Sequence, residues 1–247
     1  MNKSEWKEYG YPFDVKRNAQ VANRPSRYVR FLTNFAIASG CDIDETQPNR
    51  WQWISSFTRA LDNIYDGDVD ENINPEQIWS TEYKGKQFQY DSGEVVSLDN
   101  IREVFERIVY EKRATTNPHE LVKKRIDEIN LFVPMGRLTT DGVDENVARK
   151  RDKFYKGVLL GGVSASLIDD CADIEEDFEA GIHQVSPVWY NKLILARYAV
   201  DYGLRGLPMF PPSQLVDIIK LTTAGLTQSL FETSLQAAQN RVQHGGE

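Results

Sequence analysis

The chain has 247 residues and a net charge of −8, with 40% hydrophobic residues, enough to bury a full core within one domain. That acidic balance excludes a nucleic-acid partner, because tracking phosphates takes a basic stripe. Cys41 and Cys171 stand in no ligand or disulfide spacing, no apolar run nears membrane-spanning length, and Met1-Asn-Lys-Ser-Glu-Trp6 lacks a signal-peptide core; a soluble, cytoplasmic protein is expected.

In chain order the pattern is almost wholly helical. Apolar residues at helical spacing run through 26–39 and stop at Gly40, a C-terminal cap signal. A second helix covers about 48–66 and breaks at Gly67 and Pro75. The stretch 72–96 is the least helical and reads as a hairpin or surface excursion. Helices follow at 98–113 and 118–132, the latter opened by Asn117-Pro118 as N-cap and first helical residue. After a turn at Thr140-Asp-Gly-Val-Asp-Glu145, one long helix runs from about 146 to 179 and ends at Gly181. Another occupies 188–203, and Pro211-Pro212-Ser213 opens a last one to about 242. The expectation is all-α: a single helical domain over 1–247, bundled around a central cavity.

Two acidic runs stand out, Asp62-Asn-Ile-Tyr-Asp66-Gly-Asp68 and Asp169-Asp170-Cys-Ala-Asp173-Ile-Glu-Glu-Asp177. Each sits in an apolar helical context, where unpaired carboxylates are costly. On a helix, Asp169, Asp170, Asp173 and Asp177 fall at about 0°, 100°, 40° and 80°, crowding a quarter of the circumference. Basic side chains or hard cations would relieve that crowding. Carboxylates at i and i+4 lie roughly 5–6 Å apart at Cβ, and Mg²⁺ is typically held by one or two carboxylates plus substrate phosphates. Two such helices facing each other would hold a diphosphate, with Asp62 and Asp66 on one wall and Asp169, Asp170, Asp173 and Asp177 on the other.

These residues carry a resemblance. The run Ile168-Asp-Asp-Cys-Ala-Asp-Ile-Glu-Glu-Asp-Phe-Glu-Ala-Gly181 is similar to the second motif of chain-elongating prenyl diphosphate synthases and to the squalene and phytoene synthase pattern. Arg59-Ala-Leu-Asp62 resembles the first squalene synthase motif, and fits the elongating enzymes' first motif with Asn63 in place of the second acid. The resemblance covers about 26–187 and points to the isoprenoid synthase superfamily, which includes terpene cyclases; in length the chain is similar to the compact prenyltransferase of moenomycin biosynthesis. Val69-Asp-Glu-Asn72 stands where elongating synthases carry paired arginines, and no late Arg-Tyr pair of the cyclase kind follows. The resemblance implies Mg²⁺-dependent ionisation of an allylic isoprenyl diphosphate and transfer of the prenyl cation to an acceptor. A cyclase using one substrate, head-to-head coupling, and a non-catalytic subunit that binds a prenyl diphosphate or an active partner remain alternatives; a homodimer is left open.

The chemistry sets further expectations. Mg²⁺ neutralises a diphosphate leaving group, and the allylic cation left behind must be kept from water by an apolar and aromatic cavity. On the face leading to Asp62 stand Trp51, Ser55 and Thr58; leading to Asp169 stand Tyr155, Val158, Gly162, Ala165 and Ser166. The small residues there either leave room for a hydrocarbon tail or permit close helix packing. With Trp51 as floor, three turns of about 16 Å suit a C15 substrate. Arg59 and Lys156 share their helices with the acidic runs and are the expected diphosphate ligands. His119, His183 and His244 show no ligand spacing, and His183 reads as a loop residue.

Overall fold

The computed structural model describes residues 24–65, Trp79, 87–89 and 95–212. Its elements are α1 (Arg24–Ala38), α2 (Gln47–Tyr65), strands β1 (Gln87–Gln89) and β2 (Val95–Ser97), α3 (Leu98–Arg113), α4 (Pro118–Phe132), α5 (Glu145–Glu179) and α6 (Trp189–Gly206). Short 3₁₀ turns occupy Val133–Gly136 and Leu207–Met209. The fold is all-α, as expected, with one small antiparallel hairpin pairing Phe88 with Val96, inside the stretch read as non-helical. Asp66 of the first acidic run and the helix expected from Pro211-Pro212-Ser213 to about 242 lie wholly or largely outside the described residues.

Helix boundaries follow local chemistry. Asp44 caps α2 by accepting from the Thr46 and Gln47 amides at 2.8 and 3.0 Å, and these bonds, led by the Thr46 hydroxyl, hold its carboxyl below the ordinary range. Asn117 caps α4 through the His119 amide at 2.9 Å, and Asp144 caps α5 through the Asn146 amide at 2.8 Å. At the other ends, Gly40 (φ 72°) and Gly181 (φ 73°) take the left-handed conformation that closes a helix, with Cys41 N donating back to Ala36 O and Ile182 N to Asp177 O, both at 2.9 Å.

Where one domain was expected, contacts divide the chain into two compact units. The first comprises residues up to Val109 together with Asn130–Val158, and the second Tyr110–Ile129 together with the chain from Leu159. The first is built on an aromatic core in which Phe57, Ile101, Phe105 and Met135 are almost wholly buried, with Trp79 set edge-on to Phe57. Beside it Trp51 packs against a second aromatic, Phe154, with ring centroids 5.8 Å apart. Its Nε1 donates to Gly136 O at 2.8 Å, and Gln47 Nε2 donates to the same carbonyl at 2.9 Å. The second unit packs α6 on the C-terminal half of α5 around Leu167, Cys171, Ile174, Leu195 and Ala199. Ser164 Oγ donates to Ala199 O at 2.7 Å, and a Cβ on Gly203 would sit 3.1 Å from that hydroxyl oxygen, so the two helices approach closely there.

Two glycines make opposite predictions. A Cβ on Gly136 would meet Trp51 Cδ1 at 2.9 Å, and the indole is tied to the Gly136 carbonyl and cannot swing away without losing that bond. On Gly162 a Cβ would make ordinary contact with Ile129 at 3.5 Å. Gly136→Ala should therefore cost about 1–3 kcal/mol, whereas Gly162→Ala, in mid-helix, should be neutral or gain up to about 1 kcal/mol. Urea unfolding of both variants checks this; equal loss in both would contradict the packing described.

Candidate functional site

The second acidic run occupies the last three turns of α5, and the structure sorts its four aspartates into two sets. Leu167, Cys171 and Ile174 form the buried stripe of this part of the helix, each fully inaccessible. Asp170 lies on the flank of that stripe and is drawn inward with it, 1% exposed, while Asp169 and Asp173, about 100° and 60° away around the helix, are exposed and Asp177 is half-buried. The expected grouping of all four on one metal-facing wall is thus corrected for Asp170. Its carboxylate is gripped by the Arg125 guanidinium of α4: Nε donates to Oδ2 at 3.1 Å and Nη2 to Oδ1, a two-pronged pair. Arg125 Nη1 also donates to Glu128 at 2.8 Å. Asp170 is a structural acid here, with both oxygens engaged.

The loop after α5 contributes a residue the sequence reading missed. His183, expected as an ordinary loop residue, is fully buried. Its Nδ1 accepts from the Val185 amide at 3.2 Å, which leaves the ring proton on Nε2; that atom is buried without a hydrogen-bond partner and lies 3.9 Å from Asp177 Oδ2. Burial lowers the His183 pKa below its ordinary value; the Asp170 charge opposes this, and Lys112 and Arg125 reinforce it. Lys192 is buried too, and reaches Glu175 Oε1 at 3.1 Å. The only sequence signal for either was position: His183 sits between Ile182 and Val185, both buried, and Lys192 on the core-facing side of α6.

The remaining expected site residues are placed as follows. Asp62 is in the final turn of α2, its side chain outside the description, and Arg59 is half-buried one turn earlier. Thr58 Oγ1 donates back to Ile54 O at 3.0 Å, and Ser55 is half-buried. Trp51, expected as a cavity floor, is a hydrogen-bonded core residue. Tyr155 is buried beneath the Arg137 guanidinium, 4.9 Å from its ring centre, while Lys156 is exposed and Val158 half-buried. A Cβ on Gly162 would stand at ordinary contact distance from Ile129, 3.5 Å; Ala165 is exposed and Ser166 half-buried, and Ser164 is buried. Among the described residues no three His, Cys, Asp or Glu side chains converge as a metal cage. No described helix is long and apolar enough to cross a membrane. No protein-family model, curated protein or solved structure matches this chain.

Two stability predictions follow from this geometry. Arg125→Met leaves the Asp170 charge buried and uncompensated, and should cost about 3–5 kcal/mol, most of which Arg125→Met with Asp170→Leu should restore. Chemical denaturation of the three proteins decides it. For His183 the folded pKa lies below the unfolded one, so the unfolded state binds more protons in the interval between them. Stability is therefore fully present above about pH 6.5 and falls as the pH drops through that interval. His183→Gln should flatten the pH dependence of Tm between pH 7 and 5; an unchanged slope would show that His183 is not its source.

Proposed function

We propose that this chain is a Mg²⁺-dependent enzyme of isoprenoid type that ionises an allylic isoprenyl diphosphate and passes the prenyl cation to a second substrate. The observation that carries the reading is the division of labour in the second acidic run. Asp170 locks the rotation of α5 through Arg125, and so presents Asp169 and Asp173, an i, i+4 pair, to solvent. Such a pair suits Mg²⁺, which takes one or two carboxylates and completes its shell with water and substrate phosphate oxygens. When bound, the metal supplies charge neutralisation for the departing diphosphate. Asp169 and Asp173 would hold it and Asp177 would extend the acidic face, while Asp62 and Asp66 of the first run are proposed, from the sequence, as a further acidic pair. Lys156, exposed on α5, and Arg59 on α2 are placed on helices that carry these acids and would pair with phosphate oxygens.

Asn63, standing where the first run would carry another acid, favours one second reading, a non-catalytic subunit that binds the diphosphate. Purified protein incubated with Mg²⁺ and C10, C15 and C20 diphosphates, with and without acceptor alcohols and aromatics, separates the readings. Diphosphate release is expected only with Mg²⁺, and should fall by roughly a hundredfold or more in Asp173→Ala and Asp62→Ala. Mg²⁺ with diphosphate should raise Tm in the parent and not in those variants, by linkage. A Tm shift without release supports the binding subunit, release with cyclic hydrocarbon and no acceptor supports a cyclase, and neither shift nor release sinks the reading.

A further inference from the structure

His183 is fully buried, and one of its two ring nitrogens, Nε2, has no hydrogen-bond partner. The turn that closes α5 fixes where that ring stands. Gly181, in the left-handed conformation, bends the chain so that its own amide donates to Phe178 O at 3.2 Å and the Ile182 amide to Asp177 O at 2.9 Å. His183 follows at once, its Nδ1 accepting from the Val185 amide at 3.2 Å, while the Gln184 amide ties the same loop to Thr115 O at 2.9 Å. An amide bonded to Nδ1 requires a lone pair there, so the neutral ring carries its proton on Nε2 and acts at that atom as a donor, not as a metal ligand.

We propose that His183 is a positioning residue for Asp177: its Nε2–H holds Oδ2 at the buried edge of the acidic run and so leaves Oδ1 to the cation that Asp173 binds one turn earlier. The distance between Nε2 and Oδ2 is 3.9 Å, about 1 Å beyond a hydrogen bond, and a small rotation of the Asp177 side chain closes it. Closing it relieves a buried N–H that is otherwise costly to leave without an acceptor. The other charged groups around the ring cannot serve in its place. Lys112 and Arg125 are donors themselves, and both oxygens of Asp170 are engaged by Arg125. Asp177 also stands at the right border. It lies about 40° round α5 from Asp173 and about 20° from the direction of Asp170, and its side chain is 18% exposed, against 1% for Asp170 and an exposed Asp173. A carboxylate at such a border can turn inward or outward, and a donor fixed on one oxygen decides which way the other faces; carboxylates that bind metals are commonly oriented by a partner of this kind. The inference rests on the Mg²⁺ reading proposed above and adds to it the residue that sets the third acid.

Affinity of the full chain for Mg²⁺ with inorganic diphosphate, read by calorimetry well below Tm, tests this apart from turnover. His183→Leu removes the donor and should weaken that affinity by about tenfold to a hundredfold. His183→Gln, whose amide N–H reaches toward the place of Nε2, should restore most of it. Because His183 acts through Asp177, adding His183→Leu to Asp177→Asn should cost little more than Asp177→Asn alone, as expected of two groups in one contact. A histidine that only fills space predicts a lower Tm in His183→Leu with the affinity unchanged. Should His183→Leu fail to fold, NMR of the parent labelled with ¹⁵N-histidine decides: the His183 ring should show the Nε2-protonated tautomer and shift on addition of Mg²⁺ with diphosphate, a response lost in Asp177→Asn. Unchanged affinity in His183→Leu, independent losses in the double variant, or a ring protonated on Nδ1 each overturn the proposal and leave the Mg²⁺ reading standing. A parent with no affinity for Mg²⁺ and diphosphate overturns both.

Discussion

The buried pair of Arg125 and Asp170 is the interaction on which the orientation of the second acidic run depends. Such pairs rarely add much net stability, because the cost of taking both charges out of water offsets most of their attraction. What this one supplies is orientation. A helix can rotate about its axis with little loss of apolar burial if its core stripe is broad, but a two-pronged guanidinium–carboxylate contact tolerates only one rotation. With Asp170 fixed inward, Asp169 and Asp173 have no choice but to face outward. The same contact docks α4 on α5, and neighbouring polar ties reinforce it: Lys124 with Glu111 between α4 and α3, Lys192 with Glu175 between α6 and α5, and the Gln184 amide with Thr115 O, at 2.9 Å, between the loop after α5 and the turn before α4.

Much of the fold was legible because its signals are local. Asp44, Asn117 and Asp144 satisfy orphan amides within three residues, and Gly40 and Gly181 adopt a backbone conformation that costs other residues energy, so each marks a boundary without reference to the rest of the chain. The helices at 98–113 and 118–132 fall where the pattern put them, and the 35-residue α5 begins and ends within a residue of expectation. The hairpin at 87–97 was less determined, since three-residue strands carry too few alternations to define a period.

The site was legible only in part, and for a physical reason. Helical projection placed Asp170 with the other acids because 100° steps put it within a quarter-turn of them, yet a quarter-turn is the width that separates a core flank from solvent. Which side of that border a residue takes depends on its partner, and Arg125 sits 45 residues away within Lys123-Lys124-Arg125, a run that reads as solvated charge. His183 and Lys192 were hidden likewise: each is polar, and only the neighbours supplied by other helices make burial tolerable. Trp51 is a further case, since a large aromatic facing inward can close a cavity or fill a core, and the Gly136 carbonyl that accepts its indole proton is distant in sequence.

The small residues of α5 carry the same lesson further. Gly161, Gly162 and Ser164 have distinct neighbours, Phe210, Ile129 and the Ala199 carbonyl with Gly203, so this stretch is a site of three different close approaches. A stripe of small residues therefore specifies proximity without saying to what.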